Sequence, residues 1–475
     1  MSWQLALTLD RDCGRPLAAQ VRDGIRQAIS DGTLRPGTRL PSSRSLCADL
    51  GVSRSVLVEA YAQLTAEGYL TTRQGSGSRV AAPPRQLRAE TRSALTAPGP
   101  PPAADPALCD LRTGTGAVRS FPHRDWLRCA AAVIRQADAS GLGYGPTAGH
   151  PLLRQVLAGH LGRVRGVRVA ATDVMVTSGF AQGLALLCQV LKARGLDRVA
   201  VEDPSHPGQR DFIRSSGLAV LGIPVDGEGL RVDALARSGA RAVLVTPGNQ
   251  FPTAVPLSDR RRAELVDWAA RAGGLVIEDD FDGAFQPAGR RRPALQSLDP
   301  DRVVHAGTTS KTLAPALRLG WLAGPPQLMG ELEGVRVGWD LGCSGLEQLT
   351  LARFLDTGGL DRHLRRLGTE LAERRALVRE AFAGLGGLTG AGAGEGGLQA
   401  YLRLPAGVDE QALVREAARR RVLVRGGRHY ALGAQEAALR VDPAPAAPAL
   451  VVSYATPGRS ALADGLAVLA ELLRG

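Results

Sequence analysis

Lysine is almost absent from this chain: of 58 basic residues only Lys192 and Lys311 are lysines. A guanidinium carries charge and hydrogen bonds but cannot act as the nucleophilic amine of a Schiff base, so each lysine raises the question of amine chemistry. Lys192 has a bland reading, because Val190-Leu191-Lys192-Ala193-Arg194-Gly195 looks like a helix end where a cation meets the negative pole of the dipole. The six cysteines (Cys13, Cys47, Cys109, Cys129, Cys188 and Cys343) are scattered with no CxxC pair. That spacing argues against a disulfide framework and against a zinc site, so reduced thiols and no metal are expected. No apolar run approaches the roughly 18 residues of a membrane span. Met1-Ser2-Trp3-Gln4 also lacks the basic stretch, apolar core and small-residue cleavage site of an export leader. These absences predict a cytoplasmic protein with no membrane partner.

What is present points to more than one domain, since 475 residues exceed what one hydrophobic core normally organises. A formal charge of +12 favours a polyanionic partner, although basic composition alone is weak evidence for nucleic acid. Between about Ala81 and Pro106 proline-rich runs replace apolar periodicity. They predict a linker over 83–108 between an N-terminal unit over 13–82 and a large unit over 109–475. In the large unit, Val174–Val176, Val199–Val201, Ala242–Val245 and Leu275–Ile277 alternate with helical patterns, which predicts an α/β fold with a mainly parallel sheet. Gly384–Gly397 and Pro443–Pro448 read as surface loops.

In the N-terminal unit, Leu17, Val21, Ile25 and Ile29 lie on one face of a helix closed by Asp31-Gly32. A second helix over Ser42–Leu50 stops at Gly51, and Ser53 is expected to cap a third whose Val56, Leu57, Ala60, Tyr61 and Leu64 share one side. Tyr69–Arg73 and Ser78–Ala82 flank Gln74-Gly75-Ser76-Gly77 as a β-hairpin wing. Periodicity alone leaves simple helix packing open. The order Arg39-Leu40-Pro41-Ser42-Ser43-Arg44, Leu50-Gly51-Val52-Ser53-Arg54 and Gly75-Ser76-Gly77 resembles the GntR-type winged helix-turn-helix. The resemblance implies that Arg44, Ser53, Arg54 and Ser55 meet double-stranded operator DNA. It implies backbone contacts from Arg39, Ser42, Arg73, Ser76 and Gly77. Residues 1–82 hold 10 Arg against 7 Asp and Glu, a modest +3, so a dimer engaging two half-sites is expected.

Lys311 lies in Gly307-Thr308-Thr309-Ser310-Lys311-Thr312-Leu313-Ala314-Pro315-Ala316-Leu317-Arg318. Its amine, hydroxyls and arginine together suit an aldehyde and a phosphate. Val276-Ile277-Glu278-Asp279-Asp280-Phe281 runs an apolar strand into carboxylates that can keep a pyridinium protonated. Metal binding is the alternative there, with an incomplete ligand set. Thr177-Ser178-Gly179-Phe180-Ala181-Gln182 passes from strand to helix and offers amides to an anion.

Together these segments resemble fold-type I aminotransferases, and with the N-terminal unit they resemble the MocR/GabR subfamily of GntR regulators. Tyr144-Gly145-Pro146, Glu202-Asp203-Pro204-Ser205-His206-Pro207-Gly208 and Thr246-Pro247-Gly248-Asn249-Gln250-Phe251-Pro252-Thr253 extend the match. The resemblance implies pyridoxal 5'-phosphate, with Lys311 as its Schiff-base residue and Asp279 on the pyridine nitrogen. Ser178, Gly179, Phe180, Thr308, Ser310 and Arg318 would surround the phosphate, and Tyr144 would approach it from the other subunit of a homodimer. Phe281, His206 and Asn249 belong to the same implied site but depart from the family pattern, which has tyrosine, tyrosine and histidine there. Val451 stands where the family places the arginine that pairs with a substrate carboxylate, a contact valine cannot imitate. Arg425 or Arg428 could substitute, although both fit an exposed basic loop. The expected function is therefore a DNA-binding regulator whose large domain senses an amine, an amino acid or the cofactor itself. An active aminotransferase with a DNA-binding appendage is the alternative, and a vestigial empty domain is a third reading.

Overall fold

The computed structural model describes residues 7–11, 13–73, 77–81, 109–114, 116–138, 142–286, 291–383, 396–405, 407–433, 440–441 and 447–474. The predicted linker 83–108, Ser76, most of Gly384–Gly397 and residues 443–446 of Pro443–Pro448 lie outside these. The chain forms two compact units, Met1–Ala103 and Ala104–Gly475.

In the first unit, α1 (Leu17–Ser30) buries Val21, Ile25 and Ala28, and leaves Leu17 and Ile29 half-buried at the margin of the face. In α2 (Ser43–Leu50), the Ser42 side chain accepts from the Ser45 amide at 3.2 Å, and left-handed Gly51 ends the helix. α3 (Arg54–Ala66) presents Leu57, Ala60, Tyr61 and Leu64 to the same core, with Val56 half-buried beside them. The expected Ser53 cap needs correction. Ser53 occupies the N-cap position, but its hydroxyl makes no cap bond and lies 2.8 Å from the Ser55 hydroxyl instead. β1 (Leu70–Arg73) and β2 (Gly77–Val80) pair antiparallel, Leu70 opposite Val80 and Arg73 opposite Gly77. Leu70 and Val80 are both buried, so the wing is anchored at its base.

The large unit carries thirteen further strands among the described residues. They are β3 (Cys109–Asp110), β4 (Val174–Thr177), β5 (Arg198–Asp203), β6 (Ala219–Asp226), β7 (Gly229–Leu230), β8 (Ala242–Val245) and β9 (Leu275–Asp279), followed by β10 (Val303–Thr308), β11 (Gly320–Ala323), β12 (Gln399–Arg403), β13 (Val422–Leu423), β14 (Arg425–Gly426) and β15 (Ala449–Ser453). Eight form the main sheet in the order β4-β11-β10-β9-β8-β5-β6-β7. Strands β10, β9, β8, β5 and β6 run parallel, while β11 is antiparallel to both its neighbours and β7 folds back on β6. The apolar runs are explained by burial on both faces. Leu244 and Ile277 point into one helix-covered core, whereas Val243, Val245 and Val276 point into the other. A smaller sheet, β12-β15-β14, packs Leu450 and Val452 against Leu462 and Leu466 of the last helix.

The ends of β4, β9 and β10 deliver the polar segments, the place where open α/β sheets bind ligands. At the end of β9 the three acidic residues separate. Glu278 accepts from the amides of Leu295 (2.7 Å) and Gln296 (3.1 Å). Asp280 takes both prongs of Arg165 at 2.7 and 2.9 Å and lies 3.0 Å from His305 Nε2. Burial acts to raise the Asp280 pKa, but Arg165 and His305 outweigh it and hold the carboxyl well below its usual range. Arg165→Met should therefore strand a buried carboxylate and cost about 3–5 kcal/mol in urea unfolding. A loss below about 1 kcal/mol would contradict this account of the sheet end.

Candidate cofactor site and nucleic-acid interface

Strand β10 runs straight into the lysine segment. Thr308 caps the short helix Thr309–Thr312, accepting from the Ser310 amide at 3.1 Å. Lys311 extends from that turn, and its ammonium donates to the Gly114 carbonyl. Burial lowers its pKa, opposed by the charge of Asp279.

Asp279 ends β9 beside it, with its Cα paired to Ala306 of β10. Its Oδ2 accepts from Gln209 Nε2 at 2.7 Å, while Oδ1 is buried without a partner among the described residues. Burial raises the carboxyl to about 7 against the opposing pull of Gln209 and Lys311. His206 stands across the cavity, its ring 5.4 Å from that of Phe251. Burial, reinforced by Lys311 and Arg210, lowers this imidazole to about 4, so it is neutral near neutral pH.

The third side is an anion cradle. β4 ends at Thr177, and Gly179 (φ +83°) opens the helix Phe180–Ala193 with its unpaired amides. A Cβ on Gly179 would lie 3.2 Å from the Arg318 guanidinium nitrogens, so only glycine leaves that approach open. Arg318 is itself left-handed (φ +49°) and donates to the Ser178 carbonyl. A non-glycine residue held in that region is the kind of strain that marks a site.

Of the predicted site residues, Phe180, His206, Asp279, Phe281, Thr308, Ser310, Lys311 and Arg318 line one cavity. Ser178 and Gly179 stand behind Arg318. Asn249 is not on the wall: its Nδ2 donates at 2.8 Å to buried Asp282, one layer behind. Burial raises that Asp282 carboxyl to about 8. Tyr144 is 90% exposed and does not reach the cavity of its own chain. Phe281 presents a ring without a hydroxyl, packed edge-on to Phe251. Val451 is fully buried, and neither Arg425 nor Arg428 lines the cavity. The shared loop expected for those arginines also needs correction, since Arg425 is half-buried in β14 while Arg428 is exposed.

Sequence reasoning missed Gln209, Gln399 and Ser453. Gln209 sits one turn into the helix Pro207–Ser215, so the Ser-His-Pro-Gly segment could have suggested it. Gln399 and Ser453 lie on strands with no local motif. Lys192 carries its bland reading, at the end of a helix with Nζ 3.4 Å from the Ser216 carbonyl.

On the first unit, Arg39, Ser42, Arg44, Ser53, Arg54 and Ser55 are all exposed. Among the described residues none of the three arginines forms an ion pair, and Arg39 rests beside Gly77, its Nε 3.4 Å from where a Cβ would stand. Arg73 closes β1, and its side chain lies outside the described set.

Two family models match the chain, "Bacterial regulatory proteins, gntR family" over residues 17–80 and "Aminotransferase class I and II" over residues 114–452. Curated relatives join both parts. The probable rhizopine catabolism regulatory protein MocR of Rhizobium meliloti is 33% identical over 395 residues, 79% of this chain and 80% of that protein. The HTH-type pyridoxine biosynthesis transcriptional regulator PdxR of Corynebacterium glutamicum is 35% identical, covering 78% and 79%. The HTH-type transcriptional regulator TauR of Rhodobacter capsulatus is 31% identical over 96% of both chains. The chain belongs to the MocR/GabR subfamily of GntR-type regulators. It is a DNA-binding transcription regulator with an aminotransferase-like domain. That domain shares its fold with the kynurenine aminotransferase of Pyrococcus horikoshii (TM-score 0.68, 25% identity, 78% of this chain and 91% of that one). LysN, the α-aminoadipate aminotransferase of Thermus thermophilus, is similar at TM-score 0.66 and 26% identity, covering 78% and 93%.

The site of this MocR-type chain fits the cofactor of that fold. An unpartnered buried carboxylate oxygen suits a protonated pyridine nitrogen, and the amide-and-arginine cradle suits a phosphate. The raised carboxyl has a measurable consequence without cofactor. A folded pKa near 7 lies above the unfolded value of 3.8, so stability is lost as pH rises between them. Asp279→Asn should stabilise the cofactor-free protein by roughly 1–4 kcal/mol near pH 8, with the gain vanishing towards pH 4. Urea midpoints across that range decide it, and equal midpoints at the alkaline end would refute the assignment.

Proposed function

We propose that this regulator reads an amine through pyridoxal 5'-phosphate held in the large unit, and that occupancy alters its grip on operator DNA. The observation carrying the proposal is that buried Asp279, one of whose oxygens has no partner among the described residues, lines the same cavity as the half-buried Lys311 and the Arg318 cradle. The bound cofactor supplies an electrophilic aldehyde and an electron-accepting ring. Lys311 would hold its aldehyde, and its lowered pKa makes the neutral, nucleophilic amine accessible. Asp279 would fix the proton on the pyridine nitrogen while neutral His206 stacks over the ring. Ser178, Gly179, Phe180, Thr308, Ser310 and Arg318 would hold the phosphate, with Tyr144 added from a second copy of a homodimer. The winged unit over 13–82, joined through 83–108 to 109–475, would place α3 in the major groove in the cytoplasm. Ser53, Arg54 and Ser55 would enter first, with Arg44 beside them and Arg39, Ser42, Arg73, Ser76 and Gly77 on the backbone.

A working aminotransferase is the second reading, favoured by Lys311, Asp279 and Arg318 standing together. Against it, Phe281 offers no hydrogen bond and Val451 no charge.

Cofactor added to the full-length protein should give a visible band that borohydride fixes covalently, and Lys311→Ala should abolish the fixation. No band at saturating cofactor would refute the proposal. Steady α-amino-acid turnover at ordinary enzymatic rates, about 1–1000 per second, would favour the second reading. For DNA, Arg54→Ala should weaken binding to genomic fragments selected by the wild type by about 1–3 kcal/mol, and Arg39→Ala should chiefly flatten the salt dependence. Unchanged affinity in the Arg54 variant would remove α3 from the groove.

A further inference from the structure

We propose that the far end of the cavity takes an amine whose other polar group is uncharged, a hydroxyl or a carboxamide, and that Gln399 and Ser453 recognise that group. This rests on the sensor reading above and names its ligand class. β12 and β15 pair Gln399 with Ser453 and Tyr401 with Val451. Cross-strand partners share a face, so the Gln399–Ser453 pair is next in line to the Val451 position. Leu450 and Val452 turn the opposite way into the core, while Gln399 and Ser453 both line the cavity.

Gln399 is only 3% exposed, and its Nε2 is buried without a partner among the described residues. A buried donor in that state is unfavourable until something supplies an acceptor. Ser453 Oγ has the Thr456 hydroxyl at 3.1 Å and keeps further hydrogen-bonding capacity. Cations decide what the ligand's second group can be. Among the described residues the charged bases on the wall are Lys311, which gives up the aldehyde to the ligand's amine and in the free chain donates to the Gly114 carbonyl, and Arg318, committed to the phosphate. His206 is neutral, and Arg425, opposite Val451 in β14, stays off the wall. An incoming carboxylate would lose its hydration and meet no arginine to pair with in a two-pronged contact. A hydroxyl or carboxamide oxygen would instead accept from Gln399 Nε2 and exchange a second bond with Ser453. Phe251, Phe281 and Leu398 supply apolar walls around them.

The test loads the full-length protein with cofactor and titrates it with L-alaninamide, L-alaninol and L-alanine, which share one primary amine and one methyl group. The cofactor's absorbance band gives each dissociation constant. The amide and the alcohol should bind at least about tenfold tighter than the carboxylate. Gln399→Leu and Ser453→Ala should each bring the three constants closer together while retaining the band, and comparing proteins with the same amines cancels their different basicities. Tighter binding of L-alanine than of both neutral probes, or undiminished discrimination in both variants, overturns this inference and leaves the sensor reading intact. If the wild type gains no band when cofactor is added, the underlying reading fails and this inference with it. Should Gln399→Leu not fold, the wild-type ratio and Ser453→Ala still decide.

Discussion

A carboxylate buried in a protein with one oxygen unpaired is unfavourable, and among the described residues of the large unit Asp279 is such a group. The pleat of β9 creates the arrangement. Successive side chains of a strand face opposite ways, so Glu278 and Asp280 point away from the cavity while Asp279 points into it. The two outward carboxylates are fully engaged, one by backbone amides and the other by Arg165 and His305. Three consecutive acids thus divide into structural and functional groups without any change in residue type. On the proposed reading the free oxygen of Asp279 receives a cationic donor from outside, and the neighbouring lysine and anion cradle suit what that donor would carry.

Part of the chain's positive charge has a different use. Residues 1–82 account for only +3 of the formal +12, so the excess does not concentrate where DNA would bind. Among the described residues six arginines are buried, and each is hydrogen-bonded to a carbonyl. Arg210 donates to Ser205 and Tyr430, Arg374 to Ala455, and Arg336 to Val176. A planar guanidinium has five donors and no acceptor, which suits it to tying off carbonyls at strand and helix ends. In a chain so rich in arginine, net charge is a poor guide to partners, and the unpaired arginines on α2 and α3 say more than the total.

The parts readable from sequence were those governed by local chemistry. Ser42 and Gly51 bound α2 as their side chain and backbone preferences require, and Gly179 opens its helix at the turn where only glycine fits. The strands β4, β5, β8 and β9 follow from apolar runs that need burial on both faces. One local expectation failed, since the Ser53 hydroxyl lies beside that of Ser55 and does not cap α3. The rest of what escaped depended on residues far apart in the chain. Asn249 leaves the cavity because a buried carboxyl 33 residues on claims its amide. Gln399 and Ser453 meet only through a strand pairing that spans 54 residues, and no motif encodes a register.

A sensor and a catalyst place different demands on one pocket. A catalyst must hold its substrate in a reactive orientation and stabilise developing charge, and a carboxylate-binding arginine serves the first need. A sensor needs only that ligand binding differ between two arrangements of the whole chain, because a ligand indifferent to both shifts nothing. On the proposed reading, cofactor held by Lys311 and Asp279 would capture an amine reversibly through its aldehyde. On that reading Phe281 and Val451 would lack the contacts that orient a carboxylate-bearing substrate, leaving capture in place. Reversible capture without efficient turnover is also what lets occupancy follow ligand concentration, since a ligand consumed at the site would report flux rather than abundance.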